Sequence, residues 1–273
     1  MDNIPFFDWI RWRLTKDMRS EDFYRDQYQK IFEKFYVRSK DCLEIGGLCL
    51  PVLSHERHPT REEAYYAMEI GDILYPALLG RYHYSDEGPY EWQAVKLEKG
   101  DVVFDCGANL GVFSLLAASR GAEVYAFEPI GEARKILRKT LSLNPQFAGN
   151  VKIVPCGLSD TTGNAAFTVL PDTLVGSSMV LDQQGRKETV PITTIDAFCA
   201  ENSLAPDFIK ADIEGAERKM LAGAQKVLAE QGPKIAVCTY HLPDDPQVIR
   251  DLLLTANPQY RIVEKWKKIY AAV

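Results

Sequence analysis

Acids and one lysine stand where apolar runs of this chain stop. Val102-Val-Phe-Asp-Cys-Gly-Ala-Asn-Leu-Gly111 is an apolar run ending in Asp105 and a glycine turn, and the helical run Val112 to Ser119 follows it. The run Glu123 to Phe127 ends in Glu128-Pro129, and Phe208-Ile-Lys-Ala-Asp-Ile-Glu-Gly215 threads Lys210, Asp212 and Glu214 through an otherwise apolar segment. A glycine turn between a buried strand and a helix lets backbone N–H groups approach a ligand at the helix N-terminus. A dinucleotide fingerprint counted from Gly107 needs glycines at 109 and 112, where this chain has Asn109 and Val112, so a nicotinamide enzyme is disfavoured. Period 2 puts Lys210, Asp212 and Glu214 on one side of a strand, and charges leaving a buried strand emerge at its carboxyl end, where open α/β sheets bind ligands.

What stands instead is Asp105-x-Gly107-x-x-x-Gly111, a spacing associated with S-adenosyl-L-methionine, which lacks a pyrophosphate and presents an ammonium and a carboxylate. Asp105 is expected to meet the ammonium, and the Gly107 to Gly111 backbone, Asn109 included, the carboxylate. Glu128, with Pro129 behind it, follows Gly107 at close to the roughly 20-residue offset at which an acid reaches ribose hydroxyls. Asp160 in Gly157-Leu-Ser-Asp160 reads either as a partner of the adenine amine or as an Asx turn or helix cap. Tyr90 and Glu91 either fold over the cofactor or belong to a plain turn signalled by Gly88-Pro89. Glu214 and Glu217 have a second reading as acids in the first turn of the next helix, which needs neither Lys210 nor Asp212. His241 ends another apolar run at the same rim and reads either as the base that takes a hydroxyl proton or as a satisfied structural histidine. His55 and His58 share an H-x-x-H spacing in a polar stretch and read as solvated rather than as a metal site.

Positioning these groups takes a sheet. From about Lys99 onward, short apolar runs alternate with helical patterns, as in a doubly wound parallel sheet. The strand candidates are Val102 to Cys106, Glu123 to Phe127, Val151 to Cys156, Phe208 to Asp212, Lys234 to Tyr240, Arg261 to Glu264 and Lys268 to Ala272. Residues 164 to 195 read as an insertion of further strands, Ala165 to Leu170 and Thr189 to Ile195, around Val175-Gly-Ser-Ser-Met179. Upstream, Tyr24, Tyr28, Ile31 and Phe35 recur at helical spacing after a candidate N-cap, Ser20. Cys42 to Ile45 and Leu48 to Leu50 flank Gly46-Gly47, which suits a hairpin turn, and Thr60-Arg-Glu-Glu63 has the capping-box spacing. The expected organisation is an N-terminal α/β extension over residues 1–95, helical with a short hairpin, and a catalytic domain over 96–273.

The 273 residues are 46% hydrophobic and 26% charged, ordinary globular composition, and the net charge of −6 argues against a general nucleic-acid binder. No apolar run approaches the roughly 18 to 20 residues of a membrane span, and Asp2 stands where a secretory signal would want a cation. The cysteines Cys42, Cys49, Cys106, Cys156, Cys199 and Cys238 form no C-x-x-C pair. Reduced thiols and a cytoplasmic location are expected.

Over roughly residues 88 to 245 the chain resembles the FkbM family of S-adenosylmethionine-dependent methyltransferases. The resemblance is carried by Asp105-Cys-Gly-Ala-Asn-Leu-Gly111, Ala126-Phe-Glu-Pro129, Gly157-Leu-Ser-Asp160, Gly176-Ser-Ser178, Val190-Pro-Ile-Thr-Thr-Ile-Asp196 and, most specifically, Ile209-Lys-Ala-Asp-Ile-Glu-Gly-Ala-Glu217. It implies a class I methyltransferase fold, a Rossmann-like, mostly parallel sheet of seven strands. It also implies O-methylation of a hydroxyl on a small-molecule or glycan acceptor, of sugar or polyketide type. Many members carry an acid in the fifth strand before the final histidine, where this chain reads Val237-Cys-Thr-Tyr-His241. Two rival readings keep the same motifs: a divalent-metal-assisted O-methyltransferase using Asp212, Glu214 and His241 as ligands, and a non-catalytic cofactor-binding scaffold.

Overall fold

The computed structural model describes residues 21–55, 59–80, 87–170, 178–180 and 185–273. Ser20, His58, Gly176 and Ser177 therefore lie outside the described residues. Helix α1 (Glu21–Phe35) buries Tyr24, Tyr28 and Ile31, the stripe that its periodicity marks. Strands β1 (Tyr36–Val37), β2 (Cys42–Ile45) and β3 (Leu48–Pro51) form a small antiparallel sheet turned at Gly46-Gly47. Helix α2 (Arg61–Glu69) starts with the full capping box: Glu63 N–H donates to Thr60 Oγ1 while Thr60 N–H donates to the Glu63 carboxylate. A π-helical turn (Ile70–Leu74) follows and leads into α3 (Tyr75–Leu79).

The rest of the chain alternates strands and helices: β4 (Val102–Cys106), α4 (Val112–Ser119), β5 (Glu123–Phe127), α5 (Gly131–Ser142), α6 (Pro145–Ala148) and β6 (Val151–Val154). The insertion adds β7 (Gly157–Leu158), β8 (Gly163–Val169) and β9 (Arg186–Thr193), which make a separate three-stranded sheet in the order β7-β9-β8. Then come α7 (Ile195–Asn202), β10 (Phe208–Ala211), α8 (Glu217–Ala222), α9 (Gln225–Glu230), β11 (Lys234–Cys238), α10 (Asp245–Ala256), β12 (Arg261–Lys265) and β13 (Lys268–Ala272). The main sheet has the order β12-β13-β11-β10-β4-β5-β6. Its members β11, β10, β4, β5 and β6 run parallel, while β13 is antiparallel to both of its neighbours. Three strands stop sooner than their apolar runs suggest, at Val154, Ala211 and Cys238.

Each face of this sheet buries its own cluster. On one side Val103, Leu110, Phe113 and Leu116 pack with Tyr28, Leu43, Leu50, Tyr66 and Ile70, so the N-terminal segment shares a core with the sheet. On the other, Phe104, Phe127, Ile209, Met220 and Ile235 pack beneath α7 to α10. Fully burying such a side chain contributes about 1.5–3 kcal/mol. Asn144 also ties the N-terminal sheet down, accepting from Cys49 N–H at 2.9 Å and donating to Cys49 C=O at 2.6 Å in a buried pair. All six cysteines are unpaired. Among the described residues no helix is long and apolar enough to cross a membrane.

Candidate active site

A cavity of 390 Å³ opens at the carboxyl ends of β4, β5 and β10, within the roughly 300–1,000 Å³ range of small-molecule sites. Its first wall is the turn after β4. Gly107 has φ +78°, and a Cβ there would lie 2.0 Å from the carbonyl oxygen of Asp212, so the approach of two chain segments demands glycine. Gly107 N–H and Ala108 N–H both donate to Phe127 C=O. Asn109 N–H donates to Glu128 Oε2 at 2.9 Å, and Ile130 N–H to Glu128 Oε1 at 2.8 Å. These two bonds aim Glu128 at the end of β5, beside Pro129 on the cavity wall. Burial pushes its carboxyl up to about 7, against the pull of the two backbone N–H groups.

Two expectations for this turn are corrected. Gly111 does not face the cavity: a Cβ there would meet Leu137 Cδ1 at 2.2 Å, so this glycine serves the packing of α4 on α5. Asp105, expected to meet a ligand ammonium, is completely buried behind the wall. Its carboxylate accepts from Ser114 Oγ at 2.6 Å and lies 3.0 Å from Lys210 Nζ. Lys210 in turn donates to Gly107 C=O at 2.6 Å. Burial disfavours its charge, but Asp105 and Asp212 outweigh burial and hold it a firm cation. The pair braces β4 against β10 under the glycine turn.

The facing wall is the turn after β10. Asp212 Oδ2 accepts from Tyr90 Oη at 2.7 Å, and Asp212 Oδ1 lies 3.6 Å from His241 Nε2. Burial raises its carboxyl, but Lys210, His241 and Lys268 outweigh burial and leave it below the usual range, so it stays an anion. Glu214 sits in the left-handed region at φ +54°, a costly conformation held by Ser178 Oγ, which donates to Glu214 C=O at 2.6 Å. Burial, reinforced by Asp212, raises its carboxyl against the opposing influence of His241.

His241, read either as a base or as a structural histidine, is placed away from the cavity. Its side chain is 4% exposed and lies off the cavity wall, with Nε2 3.3 Å from Glu214 and Nδ1 3.1 Å from Glu217. Burial works against its charge, yet Glu214, Glu217 and Asp212 push its pKa up to about 11. Three carboxylates so close favour the charged imidazolium, the form of a counter-ion. Glu217 follows its helix-start reading, opening α8 while its buried Oε1 accepts from Ile213 N–H at 2.8 Å. Among the described residues, ligand atoms of Asp212, Glu217 and His241 lie within 4.8 Å of one another, close enough to share an ion.

A family model for the methyltransferase FkbM domain matches residues 105–262. The chain belongs to the FkbM methyltransferase family. It is 30% identical over 169 residues to the 31-O-demethyl-FK506 methyltransferase FkbM of Streptomyces tacrolimicus, covering 50% of this chain and 64% of that protein. It is 26% identical over 168 residues to the methyltransferase sdnD of Sordaria araneosa, with the same two coverages. The chain thus spans less than two thirds, 64%, of the length of each of these relatives. The crystal structure of methyltransferase FkbM from Methylobacillus flagellatus KT superposes with a TM-score of 0.53 at 20% identity, covering 91% of this chain and 58% of that one. The fold is the Rossmann-like class I methyltransferase sheet, as expected.

Within this FkbM framework the remaining expected residues divide. Tyr90 and Pro129 line the cavity. Glu91 does not: it pairs with Arg120 at 2.5 Å and accepts from Leu97 N–H, tying the segment before β4 to the end of α4. Asp160 is exposed, lies off the wall and accepts from Ser159 Oγ at 3.0 Å, which favours its turn reading. Cys156, Gly157 and Leu158 line that part of the cavity instead. Sequence reasoning missed a whole wall: Tyr65, Met68, Glu69, Asp72 and Ile73 lie on one face of α2 and its π-helical turn. The signal was present as an i, i+3, i+4, i+7 series that mixes acids with apolar residues, which a purely core-facing stripe would not do. Tyr240 and Lys268 were also missed, the latter because its charge lies inside a strand, donating to the carbonyls of Glu87 and Gly88.

Proposed function

We propose that this protein transfers a methyl group from S-adenosyl-L-methionine to a hydroxyl of a sugar, glycan or polyketide-type small molecule. One observation carries the reading: the Gly107–Asn109 turn with Glu128, and the adjoining Asp212–Glu214 turn, line a single cavity. The residues fit such a cofactor. Glu128 is fixed by two backbone N–H groups with its carboxylate at the end of β5, where ribose hydroxyls would be received. The apolar walls at Phe127, Ile130 and Leu158 suit a heteroaromatic base. When bound, the cofactor supplies a methyl already activated on a sulfonium. The protein's share is alignment and proton removal.

Glu214 takes the acceptor's proton. It lines the cavity, and its raised pKa makes it a stronger base than the neighbouring Asp212. Asp212, anchored by Tyr90 and kept anionic, orients the acceptor and attracts the positive sulfonium. His241 stays behind the wall as the cation that lets Asp212, Glu214 and Glu217 sit together. The oxygen acceptor is further supported by the Streptomyces relative, whose name places its reaction on 31-O-demethyl-FK506. The test is calorimetric binding of S-adenosylhomocysteine, followed by a screen of hydroxylated acceptors for its release. Binding of NAD in place of S-adenosylhomocysteine would overturn the reading.

A further inference from the structure

The inward burial of Asp105 leaves the cofactor's amino-acid tail without the acid that the motif spacing assigns to it. The carbonyl of Gly107 already accepts from Lys210 Nζ at 2.6 Å, which leaves it one further lone pair. An ammonium has three N–H groups to satisfy, so acceptors from another element are wanted.

Glu69 meets that need. It is the last residue of α2, immediately before the π-helical turn, and it lines the cavity from the wall opposite the sheet. Such widened turns recur at functional sites because they re-aim side chains. Its Oε1 accepts from Asn109 Nδ2 at 2.6 Å, which places it against the glycine turn. That contact fixes the Asn109 amide, and Asn109 Oδ1 is then left buried with no hydrogen-bond partner among the described residues. A buried acceptor without a donor costs about 1–3 kcal/mol unless a ligand completes it. The location also selects the ammonium from the cofactor's groups. Glu128 marks the ribose at β5, whereas the charged groups that act on Glu69 are Asp105 and Lys210 on β4 and β10 and Asp212 just beyond β10. No cation from the sheet is left over there: Lys210 is engaged by Asp105 and Gly107, and Lys268 by the carbonyls of Glu87 and Gly88.

We propose that Glu69, with Asn109 Oδ1 beside it, receives the ammonium of the cofactor's amino-acid tail. The N-terminal segment then becomes part of the cofactor site and not a cover over it. This inference rests on the reading of the cavity as an S-adenosylmethionine site.

Burial holds the Glu69 carboxyl up at about 8, against the donation from Asn109 and the charge of Lys210, with Asp212 and Asp105 adding to the rise. Tyr66 on its own helix also feels its charge, and Asp72 lies one turn on along the same cavity face. Ammonium binding must therefore expel a proton near neutral pH.

Calorimetry with S-adenosylhomocysteine and with its deaminated analogue tests this. Wild type should bind the analogue about tenfold to over a hundredfold more weakly, the scale of one charged hydrogen bond. Glu69→Gln, which keeps an oxygen for Asn109, should erase the difference by weakening only the amine-bearing ligand. Retention of wild-type discrimination in Glu69→Gln, or equal weakening of both ligands, overturns the proposal. Should the variant not fold, wild type alone decides. Binding heats in buffers of different ionisation enthalpy should show proton release near pH 7 for S-adenosylhomocysteine and less for the analogue, and equal release overturns the proposal. Failure of wild type to bind either ligand would instead remove the cofactor reading beneath it.

Discussion

At the β4–β5 edge of the cavity, backbone N–H groups and one carboxylate do the aiming, and Glu128 is held by the N–H groups of Asn109 and Ile130. At the β10–β11 edge, side chains from separate elements settle one another's charge: Lys210 and Tyr90 fix Asp212, and His241 faces Asp212, Glu214 and Glu217 at 3.1 to 3.6 Å. The first edge works as a template, since its geometry follows from a strand, a turn and a helix start. The second works as a balance, in which each group's role depends on the others. Substitutions at the template should therefore change affinity one residue at a time, whereas substitutions at the balance should spread into turnover, stability and pH dependence.

The largest effect is expected at the balance. Glu214→Gln keeps the size and the backbone turn but removes the base, so turnover should fall about 10²- to 10⁴-fold while S-adenosylhomocysteine affinity holds. Steady-state rates beside calorimetry check this. A variant with full turnover would move the base to Asp212 or to the acceptor itself.

His241→Gln comes next. Removing the cation leaves three carboxylates facing one another, and breaking such a buried arrangement costs about 3–5 kcal/mol. The low end applies, because Asp212 and Glu214 are 21% and 24% exposed. The loss should depend on pH. With an ordinary value of 6.5 and a folded value of about 11, His241 contributes stability that is complete below 6.5 and disappears as pH rises through 11. The native state keeps the proton across that window while the unfolded chain releases it. Denaturant unfolding should thus show wild type losing its advantage over His241→Gln from pH 7 to pH 10. A gap that stays constant would mean a neutral imidazole, and the proton-acceptor role would return to His241.

The same contrast governs what the amino-acid sequence discloses. Seven apolar runs and the glycine turn are local patterns, and they locate the sheet and Glu128 because strand periodicity and residue offset are properties of one chain segment. Asp105 is legible as an acid at a strand end, but its direction is decided by Lys210 on β10 and Ser114 on α4, far away along the chain. His241 is legible as a rim residue, whereas its charge depends on acids supplied by a different turn and helix. Glu69 lies in a helix whose start is marked by Thr60 and Glu63, yet only packing against the sheet shows which face meets the cavity.

On the template side, Glu128→Ala should weaken S-adenosylhomocysteine about tenfold to over a hundredfold, by removing hydrogen bonds worth about 1.5–3 kcal/mol each. The Asn109 and Ile130 N–H groups would lose their acceptor in the same step, so a modest drop in melting temperature should accompany the weaker binding. Unchanged affinity in a folded variant would take Glu128 out of the site and leave the template without its acid.

The smallest expected effect marks where the template ends. Asp160 stands two residues beyond Leu158, which lines the cavity, but its side chain is exposed and engaged with Ser159. Exposed substitutions away from special features change free energies by no more than about 0.5 kcal/mol, so Asp160→Ala should leave S-adenosylhomocysteine affinity within about twofold of wild type. The cavity wall there is made by Cys156, Gly157 and Leu158, which offer backbone and apolar surface to a heteroaromatic ring. If calorimetry instead finds Asp160→Ala as damaging as Glu128→Ala, the β6 end must close on the ligand and bring Asp160 inward. Adenine would then be read by a side chain, and the template would reach one strand further than the cavity wall indicates.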